Sequence, residues 1–233
     1  MVATLFACGG ASTSVDASGI SVDGAGDGAV DGAVDASGDL SSTSYYLPTG
    51  FQLAPFLSST PVYEFTSASP ATDAGKDYFA VLETDVGRIV FDLYETQTPI
   101  TVNSFVFLAR NHFFDGQAFH RVINGFVAQG GDPNSLDPDS SSWGLGGPGY
   151  MFGTEIVSSL QFDSAGVVGM ARGSSMNSNG SQFFITLAAA HSLDGQYTVF
   201  AKVTEGADLF SQIVRGEPPD NPTRMTRVYI IYK

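Results

Sequence analysis

The sequence predicts a mainly β protein: a closed antiparallel barrel capped by two α-helices and preceded by a disordered N-terminal tether. Three observations predict it. From residue 77 onward, short alternating apolar runs recur at even spacing between Gly, Asn and Asp turns, the pattern of antiparallel strands. Only two stretches carry a helical period, and they lie far apart. Earlier, "VDGAGDGAVDGAVDASGD" (Val22–Asp39) is built from Gly, Ala, Val, Ser and Asp, with Asp at 23, 27, 31, 35 and 39. That composition buries too little apolar surface to fold. A calcium-binding repeat would also use regular carboxylates, but a solvated, self-repelling tether is the reading adopted.

The 233 residues carry a formal charge of −14. No basic run occurs, which argues against a nucleic-acid partner. The charge is unevenly spread. Residues 1–75 hold eight acidic residues and no Lys or Arg, while 76–233 hold all ten basic residues and the other sixteen acidic ones, a net of −6. The chain therefore divides into a start and linker (1–44), an irregular pre-domain segment (45–75) and a folded domain (76–233).

The single cysteine excludes an intramolecular disulfide. "LFACGG" (Leu5–Gly10) resembles the lipobox of bacterial lipoproteins, which would make Cys8 a lipidation site and the chain a lipid-anchored protein of the bacterial envelope. Only seven residues, none of them basic, precede Cys8, so Met1 would be a late start; without a lipobox the chain would be cytoplasmic. No other segment is apolar for long enough to span a bilayer.

Taken in order, "DYFAVLETDVGRIVFDLY" (Asp77–Tyr94) reads as a hairpin. Phe79, Val81, Ile89, Phe91 and Leu93 alternate, and "TDVG" supplies the turn. "TPITVNSFVFLARN" (Thr98–Asn111) reads as the first helix, with Thr98 as cap, Pro99 at the first helical position and Val102, Phe105, Val106 and Ala109 as the buried stripe. Asn111 suits a left-handed terminating residue. Residues 113–203 read as short strands with turns at Asp115–Gly116, Asn124–Gly125 and Asp194–Gly195 and a long Gly/Ser/Pro loop between. "EGADLFSQIVRG" (Glu205–Gly216) reads as the second helix, with Phe210, Ile213 and Val214 inward; "RVYIIYK" closes the chain as a strand.

Three stretches carry the chemistry: "FHRVINGFVAQGGDP" (119–133), "GMARGSSMNSNGSQFFITL" (169–187) and "LDGQYTVFAKV" (193–203). In this order and spacing they resemble the cyclophilin family of peptidyl-prolyl cis–trans isomerases, over nearly all of 77–232. The "GRIVFDLY" hairpin, the "TPITVNSFVFLARNHFFDG" helix and the "GGPGY" loop share the likeness. The resemblance implies an eight-stranded barrel and rotation about the bond preceding proline, with no cofactor and no metal. It implies extended proline-containing polypeptide substrates, assistance to protein folding and a monomer.

By match to the motif, Arg121, Gln129 and Phe126 take the family's catalytic positions. Phe126, Phe184 and Leu193, with Val127, match the proline pocket, while Ala171, Arg172, Gln182 and Tyr197 match the surrounding substrate-binding positions, Gln182 and Ala171 lining the groove for residues before proline. The chain departs from the common pattern at Val127 (often Met), Tyr197 (often His), Arg172 (often Asn) and Asn124 (often Pro). Ser192 stands where eukaryotic members have the Trp that binds cyclosporin, so weak inhibition by that drug is expected; Trp143 lies in the long loop.

The chemistry follows from the residues. Amide resonance sets a rotation barrier of about 18–20 kcal/mol. In the twisted state resonance is lost and the proline nitrogen gains a lone pair. A fixed donor aimed at that nitrogen stabilises the twisted state more than either planar one. Arg is always charged and presents a planar fork, which suits it to that task. Other constellations fare worse. His112, His120 and His191 lack ligand spacing for a metal, no G-x-S-x-G elbow appears, and "GVVGMARG" lacks the Lys of a phosphate loop. The alternative within the same fold is a catalytically weak barrel acting as a binding or chaperone module.

Overall fold

The computed structural model describes residues 44–233; Cys8 and the Asp-repeat tether lie outside the described residues. Nine strands form one antiparallel sheet: β1 (Gln52–Leu53), β2 (Tyr78–Thr84), β3 (Gly87–Leu93), β4 (Arg121–Ile123), β5 (Val127–Gly130), β6 (Val167–Arg172), β7 (Asn179–Thr186), β8 (Val199–Glu205) and β9 (Met225–Tyr232). Their spatial order is β1-β9-β2-β3-β8-β6-β7-β5-β4. The one α-helix of the described residues, α1 (Pro99–Arg110), packs its apolar stripe on the inner face.

The expected closed eight-stranded barrel with two helices is corrected on both counts. The sheet is not closed: β1 and β4 are its ends. Only isolated bridges, Ala118 with Arg224 and Val122 with Gly216, join the β4 end to the segment leading into β9. The second helix is a short 3-10 turn, Ala207–Ser211. Gly206 enters it with φ 84, and a Cβ there would collide with the Arg88 carbonyl oxygen. The Arg215 guanidinium takes the carbonyls of Phe210 and Ile213, and the Val214 amide donates to Thr223 Oγ1 at 3.1 Å. Those groups are thus spent on side chains, and the chain extends to reach β4. Phe210 and Ile213 are buried as expected, but Val214 is exposed.

The β2–β3 hairpin forms with the expected turn, Thr84 pairing with Gly87. The predicted apolar set, however, falls on both faces. Ile89, Phe91 and Leu93 face the main core with Ala80 and Leu82, whereas Val81 lies outward with Val90, Tyr229 and Ile231. Phe79 shares that outer face, which is covered by Tyr45, Tyr46, Phe51, Leu53 and Phe56. Strands buried on both sides lose the simple alternation of a half-buried strand.

The helix begins at Pro99 and buries Val102, Phe105, Val106 and Ala109. Its N-terminus is satisfied differently from expectation. Thr98 makes no side-chain cap bond, its hydroxyl donating instead to the Tyr94 carbonyl at 3.2 Å. The Glu155 carboxylate accepts from the amides of Ile100 (3.2 Å) and Thr101 (2.8 Å) and from the Thr101 hydroxyl (2.7 Å). An anion against the orphan amides of a first turn complements both their donors and the helix dipole. At the other end Asn111 has φ −102 rather than a left-handed conformation; His112, at φ 57, makes that turn and stacks on Phe56.

Candidate active site

The site grows from the register of four neighbouring strands. Arg121 pairs with Gln129 across β4 and β5, Gln129 with Phe184 across β5 and β7, and Phe184 with Gly169 across β7 and β6. Residues directly opposite one another project to the same face. The row Gly169–Phe184–Gln129–Arg121 is therefore one line across the outer face. Arg121 sits among hydrophobes in sequence because its neighbours alternate: Val122 is buried, while the Arg121 side chain keeps 38% exposure.

Hydrogen bonds tie the polar part of this row together. Arg121 Nη1 donates to Gln129 Oε1 at 3.5 Å, and Gln129 Nε2 donates to Gln182 Oε1 at 2.9 Å. Gln182 Nε2 in turn donates to the carbonyls of Gly144 (3.0 Å) and Gly146 (2.8 Å) in the long loop. Fully buried Asp132 holds that loop, accepting from the amides of Asn134 (2.8 Å) and Gly144. A guanidinium at the sheet edge is thus linked through two amides to a loop pinned by a buried carboxylate.

Beside this polar line lies an apolar notch. Val127 and Phe184 are buried in one cluster with Phe162, Val167, Ala190 and Val199, and Phe126, Ala171, Leu193 and Tyr197 pack partly buried against it. Phe184 meets the Phe162 ring at 5.4 Å and the Tyr197 ring edge-on at 5.8 Å. Gly169 has a physical reason to be glycine: a Cβ would lie 2.7 Å from Phe184 and 2.8 Å from Phe162. Both rings lie against bare backbone.

An adjoining groove of about 730 Å³ is lined by Gln129, Gln182, Ala171, Arg172, Tyr150 and the 144–149 loop, among others. Arg172 lies over the Tyr197 ring at 4.7 Å and donates to the carbonyls of Gln196 and Gly173, so its guanidinium is held by the groove wall. The structure thus brings Arg121, Gln129 and Gln182 into one hydrogen-bonded chain. It gathers Phe126, Val127, Ala171, Phe184, Leu193 and Tyr197 into one apolar cluster.

The histidines sit apart. His112 pairs with Asp115, His191 pairs with Asp194, and His120 is buried. Burial holds His120 below its ordinary value, against the pull of Asp132. Among the described residues no group of three or more His, Cys, Asp or Glu could hold a metal ion. Trp143 donates its indole N–H to the Asp137 carbonyl at 3.0 Å, in the long loop.

Sequence reasoning missed Phe162, the floor under Phe184, and Glu217, whose carboxylate accepts from Arg121 Nε at 2.8 Å. A lone Phe or Glu in a loop carries no period. Only the register of strands distant in sequence reveals either.

An antiparallel sheet with a half-buried Arg–Gln pair beside an aromatic notch defines a class, and comparison with known proteins identifies it. Residues 79–231 match the family model described as cyclophilin type peptidyl-prolyl cis-trans isomerase/CLD. The chain belongs to that family and is a peptidyl-prolyl cis–trans isomerase. It is 37% identical over 150 residues to peptidyl-prolyl cis-trans isomerase-like 1 of Gibberella zeae, covering 64% of this chain and 90% of that one. To the human protein of the same description it is 36% identical over 156 residues, covering 65% and 89%. A solved Cryptosporidium parvum cyclophilin type isomerase, crystallised in the presence of the dipeptide Ala-Pro, matches with a TM-score of 0.59 and 30% identity over 65% of this chain and 98% of that chain.

These relatives correct the expected bacterial-envelope location, because they are eukaryotic proteins and not envelope lipoproteins. No helix of the described residues is long and apolar enough to cross a membrane.

Proposed function

We propose that the isomerase acts on Xaa-Pro bonds of extended, flexible polypeptides and that Arg121 stabilises the twisted amide. The proline ring enters the notch of Phe126, Val127, Phe184 and Leu193. Residues before the proline lie along the groove of Gln182 and Ala171. The carrying observation is the row Arg121–Gln129–Phe184, in which the Arg121 backbone stands two strands, or about 10 Å, from that of Phe184 in the notch. A long Arg side chain spans most of that distance. Its donors then meet the proline nitrogen as the lone pair develops, and the preorganised fork needs no rearrangement at that moment.

Gln129 takes one side of the fork and can offer its second Nε2 proton and the second lone pair of Oε1 to the substrate backbone. An Ala-Pro dipeptide was present with the Cryptosporidium relative, which supports a short proline-containing ligand here. Substrates of this kind occur in unfolded chains, hence a role in assisting folding.

The test is cis–trans exchange of a short Ala-Pro peptide, measured by NMR with wild type and Arg121→Ala. Loss of one preorganised donor predicts a fall in kcat of about 10²-fold or more with the fold intact. Equal rates for the two proteins would refute the Arg-assisted mechanism and favour a binding module.

A further inference from the structure

We infer that Glu217 is a positioning residue for the isomerase reaction: its carboxylate holds Nε of Arg121 and so aims the guanidinium at the substrate. The inference rests on the reading that Arg121 acts on the twisted bond.

The loop that carries Glu217 is built onto the site. Val122 and Gly216 form an antiparallel bridge with both backbone bonds made, the Val122 amide donating to Gly216 at 2.8 Å and the Gly216 amide to Val122 at 3.0 Å. In an antiparallel register, the residue before Val122 stands opposite the residue after Gly216. Arg121 and Glu217 are therefore cross-strand partners, and the row on the outer face gains a fifth member beyond β4. The contact follows from backbone pairing rather than from a chance meeting of two surface chains.

Three residues around the bridge fix this placement. Gly216 has φ 150, and a Cβ there would lie 2.6 Å from Pro219 Cα and 2.9 Å from the Pro218 carbonyl oxygen. No side chain fits at 216 without opening the turn. Pro218 and Pro219, which follow Glu217, have restricted φ. The carboxylate is thus presented from a stiff segment.

An exposed ion pair ordinarily contributes little to stability, and this one is 38% and 54% exposed. Its consequence lies in geometry. The Gln129 contact alone is long, 3.5 Å, and acts on Nη1 only. A single weak contact leaves an Arg free to swing about its stem. A second contact, at Nε on the opposite side, fixes the plane of the fork and leaves further Nη protons for the substrate.

The experiment measures kcat and KM separately by NMR exchange on an Ala-Pro peptide for wild type, Glu217→Ala, Glu217→Gln, Arg121→Ala and the Glu217→Ala/Arg121→Ala double variant, with melting curves for each. Loss of aim acts in the transition state, so Glu217→Ala lowers kcat roughly tenfold with KM within about twofold. Glu217→Gln keeps an acceptor for Nε and recovers most of that loss. In the double variant the Glu217 change adds nothing to the Arg121 loss, because its effect runs through Arg121. The Arg121 Nε–H resonance, protected in wild type, exchanges faster in Glu217→Ala and stays protected in Glu217→Gln; the melting curves confirm that both variants are folded under the conditions of this readout.

Full kcat in Glu217→Ala, or an equal further loss on top of Arg121→Ala, overturns the inference while leaving the Arg121 mechanism standing. Full activity in Arg121→Ala overturns the mechanism itself, and the Glu217 inference with it.

Discussion

Replacing Gly169 by Ala tests whether the notch is held open by close approach of two rings to the backbone. The position takes no left-handed φ, so an L-residue fits the backbone, and the effect comes from contact alone. The new Cβ would stand 2.7 Å from the tip of Phe184 and 2.8 Å from the edge of Phe162. Ordinary contact begins near 3.4 Å, so each ring must retreat by roughly 0.6–0.7 Å. Phe162 is fully buried and has nowhere to go, whereas Phe184 borders the notch and moves into it.

Overpacking of this kind destabilises by about 1–3 kcal/mol. Restricting the unfolded chain offsets about 0.4–1 kcal/mol. The net is a loss of roughly 1–2 kcal/mol, which lowers the melting temperature by about 2–8 °C for a chain of this size. Because the displaced ring occupies proline space, KM for an Ala-Pro peptide rises more than kcat falls. Trimming the ring beneath, as Gly169→Ala/Phe162→Leu, gives Phe184 room to settle back. That double variant recovers KM without recovering stability, since Phe162→Leu carries its own packing loss. Differential scanning calorimetry and NMR exchange measure the two effects. A Gly169→Ala protein with unchanged melting and unchanged KM would refute the close-approach reasoning.

Two further outcomes follow from the fold. Glu155→Ala removes the carboxylate that serves the α1 N-terminus and lowers stability by about 1–2 kcal/mol, with Glu155→Gln less damaging because it keeps an acceptor; unchanged chemical denaturation midpoints in both would contradict this. Burial depresses the proton affinity of His120, so below about pH 6.5 the unfolded chain binds a proton there that the folded chain does not, and stability falls as pH falls through that window. Asp132 and Arg121 are the charges that act on this imidazole. His120→Gln cannot titrate and flattens the stability–pH curve as pH falls below about 6.5; an unchanged slope would contradict it.

The features legible in the sequence are those whose signal is local. The α1 stripe of Val102, Phe105, Val106 and Ala109 repeats every three to four residues, and the β2–β3 turn sits within four residues of both strands. The features missed depend on distant partners. Val81 is outward rather than inward because Tyr45, Phe51 and Phe56 cover it, and no periodicity in either segment announces that cover. The second helix failed because Arg215 and Thr223 compete for its backbone groups and Gly206 must approach Arg88. At the site, Arg121, Gln129 and Phe184 stand out through their motif, yet Glu217 and Phe162 enter only once strand register is known.

That contrast explains how so small a set of polar groups can be aimed. Arg121, Gln129 and Phe184 come from three strands, and the spacing between them is the spacing of the ladder itself, about 4.8 Å per step. A sliding error of one residue in any strand would turn that side chain to the opposite face. The core resists such slips, since Val122, Ala128, Phe183 and Ile185, which neighbour the site residues in sequence, are all buried in it. The same residues that fill the interior thereby fix the outer row. The outer row is then most sensitive to changes beneath it and at the β4 edge. At that edge the sheet is not closed and a two-bond bridge to Gly216 takes the place of a strand. Weakening that bridge, rather than the core, is the change that should loosen the guanidinium while leaving the fold standing.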